Sequence, residues 1–144
     1  MAKDIRWRQR FQNFSRALNL LRSTFDERNF NELNQLEQEG VVQRFEYTWE
    51  LAWKTLKDYL QYKGIVLIDT TPRQIIKEAA SCGVFHEAAV DGAVFIEMLE
   101  ARNELSHTYD FEKFKALLEK IQNQYWRQFE NLYDFFATKR FESE

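Results

Sequence analysis

The sequence contains little cysteine, proline or glycine. Its 144 residues include one Cys, one Pro and four Gly. A single Cys cannot close a disulfide within the chain, and Cys82 with His86 and His107 cannot complete a four-ligand zinc site without carboxylates. We therefore expect no metal or other cofactor and a reducing compartment. The scarcity of Gly and Pro also excludes collagen-like repeats and turn-rich β-sandwiches.

Long apolar runs and a basic excess are also missing. No stretch approaches the roughly 18 apolar residues of a membrane span, and residues 1–10 lack the apolar run of a signal peptide. The formal net charge of −3 argues against a domain that coats nucleic acid through a basic face. Residues 1–28 alone are basic, which leaves open a solvated helix face or a local surface for an anionic partner. We expect a soluble, cytoplasmic protein without membrane contact.

The sequence is rich in apolar residues at helical spacing. Apolar residues at alternating steps of four and three predict a helix over about 5–26. A second stripe, from Leu33 to Leu60, predicts a longer aromatic-rich helix, with Gly40 as a possible break and Gly64 as a stop. Residues 65–68 are too few for a helix and predict an extended connector.

The second half of the chain predicts three more helices. Thr71–Gln74 has a capping-box pattern with proline at the first helical position, so a short helix should begin there and run to Cys82, which we expect to be buried. A further helix is predicted over about 87–105, and a last one over 111–136 with Asp110 as its N-cap.

These elements predict an all-α, antiparallel helical bundle of four long helices and one short helix. We expect residues 1–144 to form this one domain. Aromatic residues make up 16 % of the chain, more than one small core easily hides, which favours an oligomer interface. Trp49 and Trp53 are expected in the core or the dimer contact rather than as platforms for base stacking.

Polar residues capable of chemistry cluster in one segment, residues 102–110, while the P-loop, GxGxxG, GxSxG and HExxH patterns are absent. On an unbroken helix Arg102 and His107 would lie roughly 140° apart around the axis. Ser106 and Asp110 favour a helix end between them, which would allow the two side chains to converge.

An Arg and a His at a helix end have two interpretations. They can simply cap free carbonyls and interact with the helix dipole. Alternatively they form a phosphate-directed site, in which Arg102 neutralises a phosphoryl oxygen, His107 moves a proton near neutral pH and Asn103 orients the phosphate. Such a site could cleave RNA without a metal ion, with the ribose 2′-hydroxyl as nucleophile.

The segment Arg102–Tyr109, RNELSHTY, matches the R-x4-H-x-Y motif of the HEPN superfamily. More narrowly, the chain resembles the HepT branch, whose members are also known as nucleotidyltransferase substrate-binding proteins. The residues from Phe45 to Leu60 resemble the long aromatic helix of that branch. The predicted bundle and the chain length agree, so the resemblance spans nearly the whole chain.

The resemblance implies a toxin of a toxin-antitoxin pair. It implies a homodimeric ribonuclease with Arg102 and His107 catalytic and Asn103 supporting, in which the sites of both subunits face one cleft. The implied partner is a minimal nucleotidyltransferase of the polymerase-β type, which binds the toxin in a hetero-oligomer and silences it by transferring AMP onto Tyr109. That transfer would add bulk and negative charge two residues from His107. The alternative is a non-catalytic nucleotide- or substrate-binding subunit of a two-protein nucleotidyltransferase.

A charged ladder is also predicted on the second helix. Glu46, Glu50, Lys54 and Asp58 are spaced by four residues. They are either ordinary i,i+4 pairs or the polar lining of the dimer cleft. His86 follows a helix stop with no ligand set near it, and we expect it to be a surface or capping residue.

Overall fold

The computed structural model describes residues 2–105 and 110–142, and the side chains of residues 5–26, 28–105 and 110–140. Across these residues the chain is helical and contains no strand, which confirms the predicted all-α class. None of the described helices is long and apolar enough to cross a membrane. The helices are α1 (Ala2–Glu27), α2 (Gln35–Tyr62), α3 (Pro72–Ser81), α4 (Val84–Ala88), α5 (Gly92–Leu105), α6 (Phe111–Lys120) and α7 (Trp126–Glu142).

Helices α1 and α2 form an antiparallel hairpin. Trp7, near the start of α1, packs edge-on against Tyr59 near the end of α2, with ring centroids 5.2 Å apart. A 3₁₀ turn, Phe30–Glu32, precedes α2, which begins with a capping box between Asn34 and Glu37. Gly40 does not break α2.

Helix α7 completes the aromatic core between α1 and α2. It runs antiparallel to α1, since Phe14 lies against Phe129 and Trp7 against Phe136. It runs parallel to α2, with Phe45 stacked on Tyr125 at a centroid distance of 5.7 Å. Most of these rings are fully buried, so aromatic packing supplies much of the hydrophobic stabilisation of the bundle.

The single helix predicted over about 87–105 is instead two helices, α4 and α5. Ala89 adopts a left-handed conformation (φ 58°, ψ 41°) that ends α4. The side chain of Asp91 then accepts a hydrogen bond from the backbone N–H of Ala93, which starts α5. The bundle therefore has two short helices, α3 and α4, rather than one. Leu105 is the last residue of α5 that the structure describes, so the predicted helix end at this position stays a prediction.

The last predicted helix is interrupted by a π-helical turn. Asp110 is its N-cap as predicted, because its side chain accepts from the N–H groups of Glu112 and Lys113. The π turn, Ile121–Tyr125, joins α6 to α7. Tyr125 closes that turn from the core, where it is 2 % exposed.

Two local predictions around α3 are wrong. Pro72 is at the start of the helix as predicted, but the side chain of Thr71 makes no capping hydrogen bond. Asp69 instead accepts from the Thr71 N–H, so an Asx turn replaces the capping box. Cys82 is exposed rather than buried, because α3 ends there and its side chain points away from the core. The connector 65–68 is non-helical, as predicted.

Candidate active site

Arg102 lies in the last turn of α5 and contacts the middle of α2. Its Nη2 atom is 2.9 Å from Oε2 of Glu50, and about a third of its side chain remains exposed. The guanidinium also lies over the ring of Trp49, with Cζ 5.3 Å from the centroid. Trp49 is fully buried, so it forms a rigid floor for the cation. Arg102 is thus held between a carboxylate and an indole.

Glu50 connects Arg102 to a second cation. Its Oε1 atom is 3.2 Å from Nζ of Lys54, one turn later on α2. Its Oε2 atom contacts Arg102 without the alignment of a hydrogen bond, so the contact is an ion pair in which charge dominates. A phosphate that approaches this face would meet two cations and one carboxylate, a locally positive site in an acidic chain.

The other two members of the ladder differ from Glu50 and Lys54. Glu46 is half-buried one turn before Glu50. Asp58 is buried, and its Oδ2 accepts a hydrogen bond of 3.0 Å from Nε of Arg10 on α1. The i,i+4 interpretation therefore holds for Glu50 with Lys54, whereas Asp58 joins α2 to α1.

The tryptophans of α2 belong to the core, as predicted. Trp49 and Trp53 are both buried, one turn apart. The indole N–H groups of both have no hydrogen-bond partner among the described side and main chains. The contact of Trp49 with Arg102 was not foreseen from the sequence, because it depends on how α5 packs on α2.

The remaining motif residues follow Arg102 along the chain. Asn103 is exposed on the last turn of α5. His107 and Tyr109 lie outside the described residues, so their convergence with Arg102 stays a prediction. The two helices that flank this segment are joined by an ion pair between Glu104 on α5 and Lys113 on α6. The hydrogen bond to Glu104, and its charge, raise the pKa of Lys113.

Candidate metal ligands are dispersed. Among the side chains that the structure describes, no three of His, Cys, Asp or Glu come together as a metal site requires. His86 is exposed on α4, as predicted, and takes no part in the contacts around Arg102.

Most of the chain matches one known protein family. Residues 9–138 match the family described as nucleotidyltransferase substrate binding protein like. The chain belongs to this family. It is also 32 % identical over 87 residues to the probable ribonuclease HepT of Haemophilus influenzae. These matches confirm the resemblance to the HepT branch of the HEPN superfamily.

The curated relative and the solved structure match different shares of the chain. The alignment with the Haemophilus protein spans 58 % of this chain and 57 % of that protein, so the chain spans little more than half the length of this curated relative. A crystal structure of a protein from Thermus thermophilus superposes with a TM-score of 0.68 at 27 % identity, over 83 % of this chain and 94 % of that one. The bundle is thus shared with a solved structure along most of its length.

Proposed function

We propose that this protein is a HEPN-type endoribonuclease toxin that cleaves RNA with Arg102 and His107. The observation that carries the proposal is the placement of Arg102, ion-paired to Glu50 and supported by Trp49 at the end of α5. The similarity to the probable ribonuclease HepT supports the same activity.

In the proposed reaction the ribose 2′-hydroxyl attacks the adjacent phosphodiester. His107 accepts the proton of that hydroxyl as the new P–O bond forms, and the 5′-oxygen leaves as the old P–O bond breaks. The leaving oxygen takes up a proton, which in a homodimer the second histidine could supply. The products are a 2′,3′-cyclic phosphate and a 5′-hydroxyl. No metal ion is required for this proton balance.

Arg102 would stabilise the charge that develops on the phosphoryl oxygens. A guanidinium offers donors in a planar fork that suits two phosphate oxygens. Because Trp49 and Glu50 already restrict its position, little side-chain entropy is lost when substrate binds. Asn103, exposed on the same helical turn, would orient the phosphate.

The test is cleavage of RNA by the purified chain in EDTA, with analysis of the product ends. We expect cyclic phosphate ends, and we expect the rate to fall by at least about 100-fold in His107→Ala and in Arg102→Gln. The matched control is His86→Ala, since His86 is the other histidine and lies exposed on α4. An inactive native protein, or a His107→Ala variant as active as the native one, would contradict the proposal.

The proposed regulation is adenylylation by a nucleotidyltransferase of the polymerase-β type. The partner would transfer AMP from ATP to the hydroxyl of Tyr109, releasing pyrophosphate. Intact mass after incubation with partner, ATP and Mg²⁺ should show one AMP per chain and a loss of RNA cleavage. Tyr109→Phe should stay unmodified, while the control Tyr133→Phe should be modified like the native chain.

A second candidate function is favoured by the family description itself, which speaks of substrate binding. In that case the chain is a non-catalytic subunit that holds a nucleotide or acceptor for the partner. A native protein that cleaves no RNA, remains unmodified, and yet binds the partner and a nucleotide would establish this alternative.

We also propose that residues 1–144 form a single domain that dimerises with the Arg102 faces of both subunits in one cleft. Light scattering after size-exclusion chromatography should give twice the chain mass of 17.5 kDa. A monomer at micromolar concentration would contradict the shared cleft.

A further inference from the structure

A polar cavity lies where the end of α1 meets the first turns of α2. Its volume is about 320 Å³. None of the residues around Arg102 lines it. The polar residues and the glycine of its wall are Ser23, Thr24, Arg28, Glu37, Gly40 and Arg44.

Arg44 brings a positive charge to the wall of this cavity. Its Nη1 atom donates to the carbonyl of Leu20 at 2.8 Å and to the hydroxyl of Thr24 at 3.0 Å. Both acceptors are neutral, and no carboxylate among the described side chains lies within ion-pair distance of this guanidinium. The two hydrogen bonds fix the guanidinium at the cavity wall.

The other charges of the cavity are paired with each other. Nη2 of Arg28 is 2.6 Å from Oε2 of Glu37. Glu37 also accepts from the backbone N–H of Asn34. The hydrogen bonds from Arg28 and Asn34 lower the pKa of Glu37, so it is ionised at neutral pH. Arg44 therefore gives the described lining residues of the cavity a net positive charge.

No contact with the described residues requires glycine at position 40. It lies inside α2, where glycine destabilises a helix relative to alanine. A Cβ atom at this position would meet nothing within 4 Å, and Gly40 is not among the residues with positive φ. A remaining reason for a helix-interior glycine is the close approach of a ligand to the backbone.

We infer that this cavity binds a phosphate group, from a free nucleotide or from an RNA backbone, against Gly40 and the guanidinium of Arg44. A guanidinium that is already held in place suits the planar, two-point recognition of phosphate oxygens. The bare backbone at Gly40 lets the ligand approach α2. This site is separate from the one proposed around Arg102.

Nuclear magnetic resonance can test the inference, because the chain has only four glycines and the amide signal of Gly40 can be assigned from its loss in Gly40→Ala. The probes are inorganic phosphate, AMP and a 2′-O-methyl RNA oligonucleotide, which lacks the free 2′-hydroxyl needed for cleavage. We expect a saturable shift of the Gly40 signal. Tighter binding of AMP than of RNA identifies a nucleotide site, and the reverse order identifies an RNA contact.

Two variants and one control make the test specific. Arg44→Gln should weaken binding by about tenfold or more, which is the effect of losing one charge-assisted contact. Gly40→Met should fill the cavity and weaken binding without lowering the thermal midpoint. Because this variant has no Gly40 signal, its binding is measured by isothermal titration calorimetry beside the native chain. Arg73→Gln removes an equal charge at an exposed position of α3 and should bind like the native chain.

The inference is overturned if millimolar concentrations of all three probes leave the Gly40 signal unmoved. It is also overturned if folded Arg44→Gln and Gly40→Met both bind as tightly as the native chain. The ribonuclease proposal is tested by the separate RNA cleavage assay with His107→Ala. Failure of the phosphate-binding inference would therefore not contradict the proposed ribonuclease site.

Discussion

The guanidinium of Arg102 and the carboxylate of Glu50 form an ion pair at 2.9 Å across the contact between α5 and α2. The carboxylate of Glu50 holds the guanidinium in position and partly neutralises its positive charge. A substrate phosphate must therefore share Arg102 with Glu50, so this pair offers a direct way to test which residue binds the phosphate.

Replacing Glu50 by Gln should lower the KM for RNA by about two- to fivefold, the range expected for one partly exposed charge pair. The amide keeps the shape of the side chain, while Trp49 still supports the guanidinium. Steady-state cleavage rates over a range of RNA concentrations measure the effect. Glu46→Gln is the control, since Glu46 lies one turn away on the same helix. An increase in KM would show that the carboxylate of Glu50 assists RNA binding and does not compete with the phosphate for Arg102.

Removing the N-cap of α6 should destabilise the fold. Asp110→Ala loses the hydrogen bonds that the side chain accepts from Glu112 and Lys113, at a cost of about 1 kcal/mol in the free energy of unfolding. Urea denaturation gives the value. Asp110→Ser should retain most of the stability. Thr71→Ala is the matched control at the start of α3, where the side chain makes no capping bond, and an equal loss there would refute the capping argument.

Removing only the cation of the ion pair between Arg10 and Asp58 should cost more stability than removing both partners. Arg10→Met leaves a carboxylate that is 2 % exposed without its cation. We expect a loss of about 2 kcal/mol, reduced from the value for a fully buried pair because Arg10 is partly exposed. Adding Asp58→Leu should recover most of this loss.

The control for that experiment is Arg22→Met, which breaks a more exposed ion pair with Glu130. Its cost should stay below about 1 kcal/mol. If Arg10→Met and Arg22→Met lose equal stability in urea denaturation, then burial of Asp58 has no special energetic consequence.

Tyr125 should make the folded state less stable as the pH rises into the alkaline range. Burial, and secondarily the hydrogen bond from its hydroxyl to Glu97 at 2.7 Å, raise the pKa of Tyr125 above its ordinary value. A group whose pKa is raised by folding contributes stability in full below its unfolded pKa of about 10, and that contribution declines at higher pH.

Tyr125→Phe should therefore lose about 1 kcal/mol at neutral pH, and the difference from the native chain should shrink as the pH rises above about 10. Urea denaturation at pH 7.5 and 10.5 measures both values. A difference that grows with pH would have the wrong sign for a raised pKa.

Local chemistry in the sequence determined much of this fold. The apolar spacing from Trp7 onward and the Asp110 cap were sufficient to predict α1, α2 and the start of α6, because side-chain periodicity and capping depend on neighbours within a few residues. The division at Ala89 and the π turn before Trp126 were missed. Neither a left-handed alanine nor an extra residue in a helix leaves a mark in the apolar pattern.

The residues of the candidate site could be predicted from the sequence, but their contacts with α2 could not. Arg102, Asn103, His107 and Tyr109 are recognisable from the sequence because they lie in one short motif. The support of Arg102 by Trp49 and Glu50 joins positions about fifty residues apart, and only the packing of α5 on α2 decides it.

Spacing along single helices was enough to predict most of the helices, the family motif and the buried aromatic stripes, since each depends on residues a few positions apart. The pairing of Asp58 with Arg10 and of Glu50 with Arg102 depends instead on how the helices pack. The two acids occupy the same ladder on α2. They differ in what packs against them, because the neighbouring helix at each level, α1 or α5, supplies the cation.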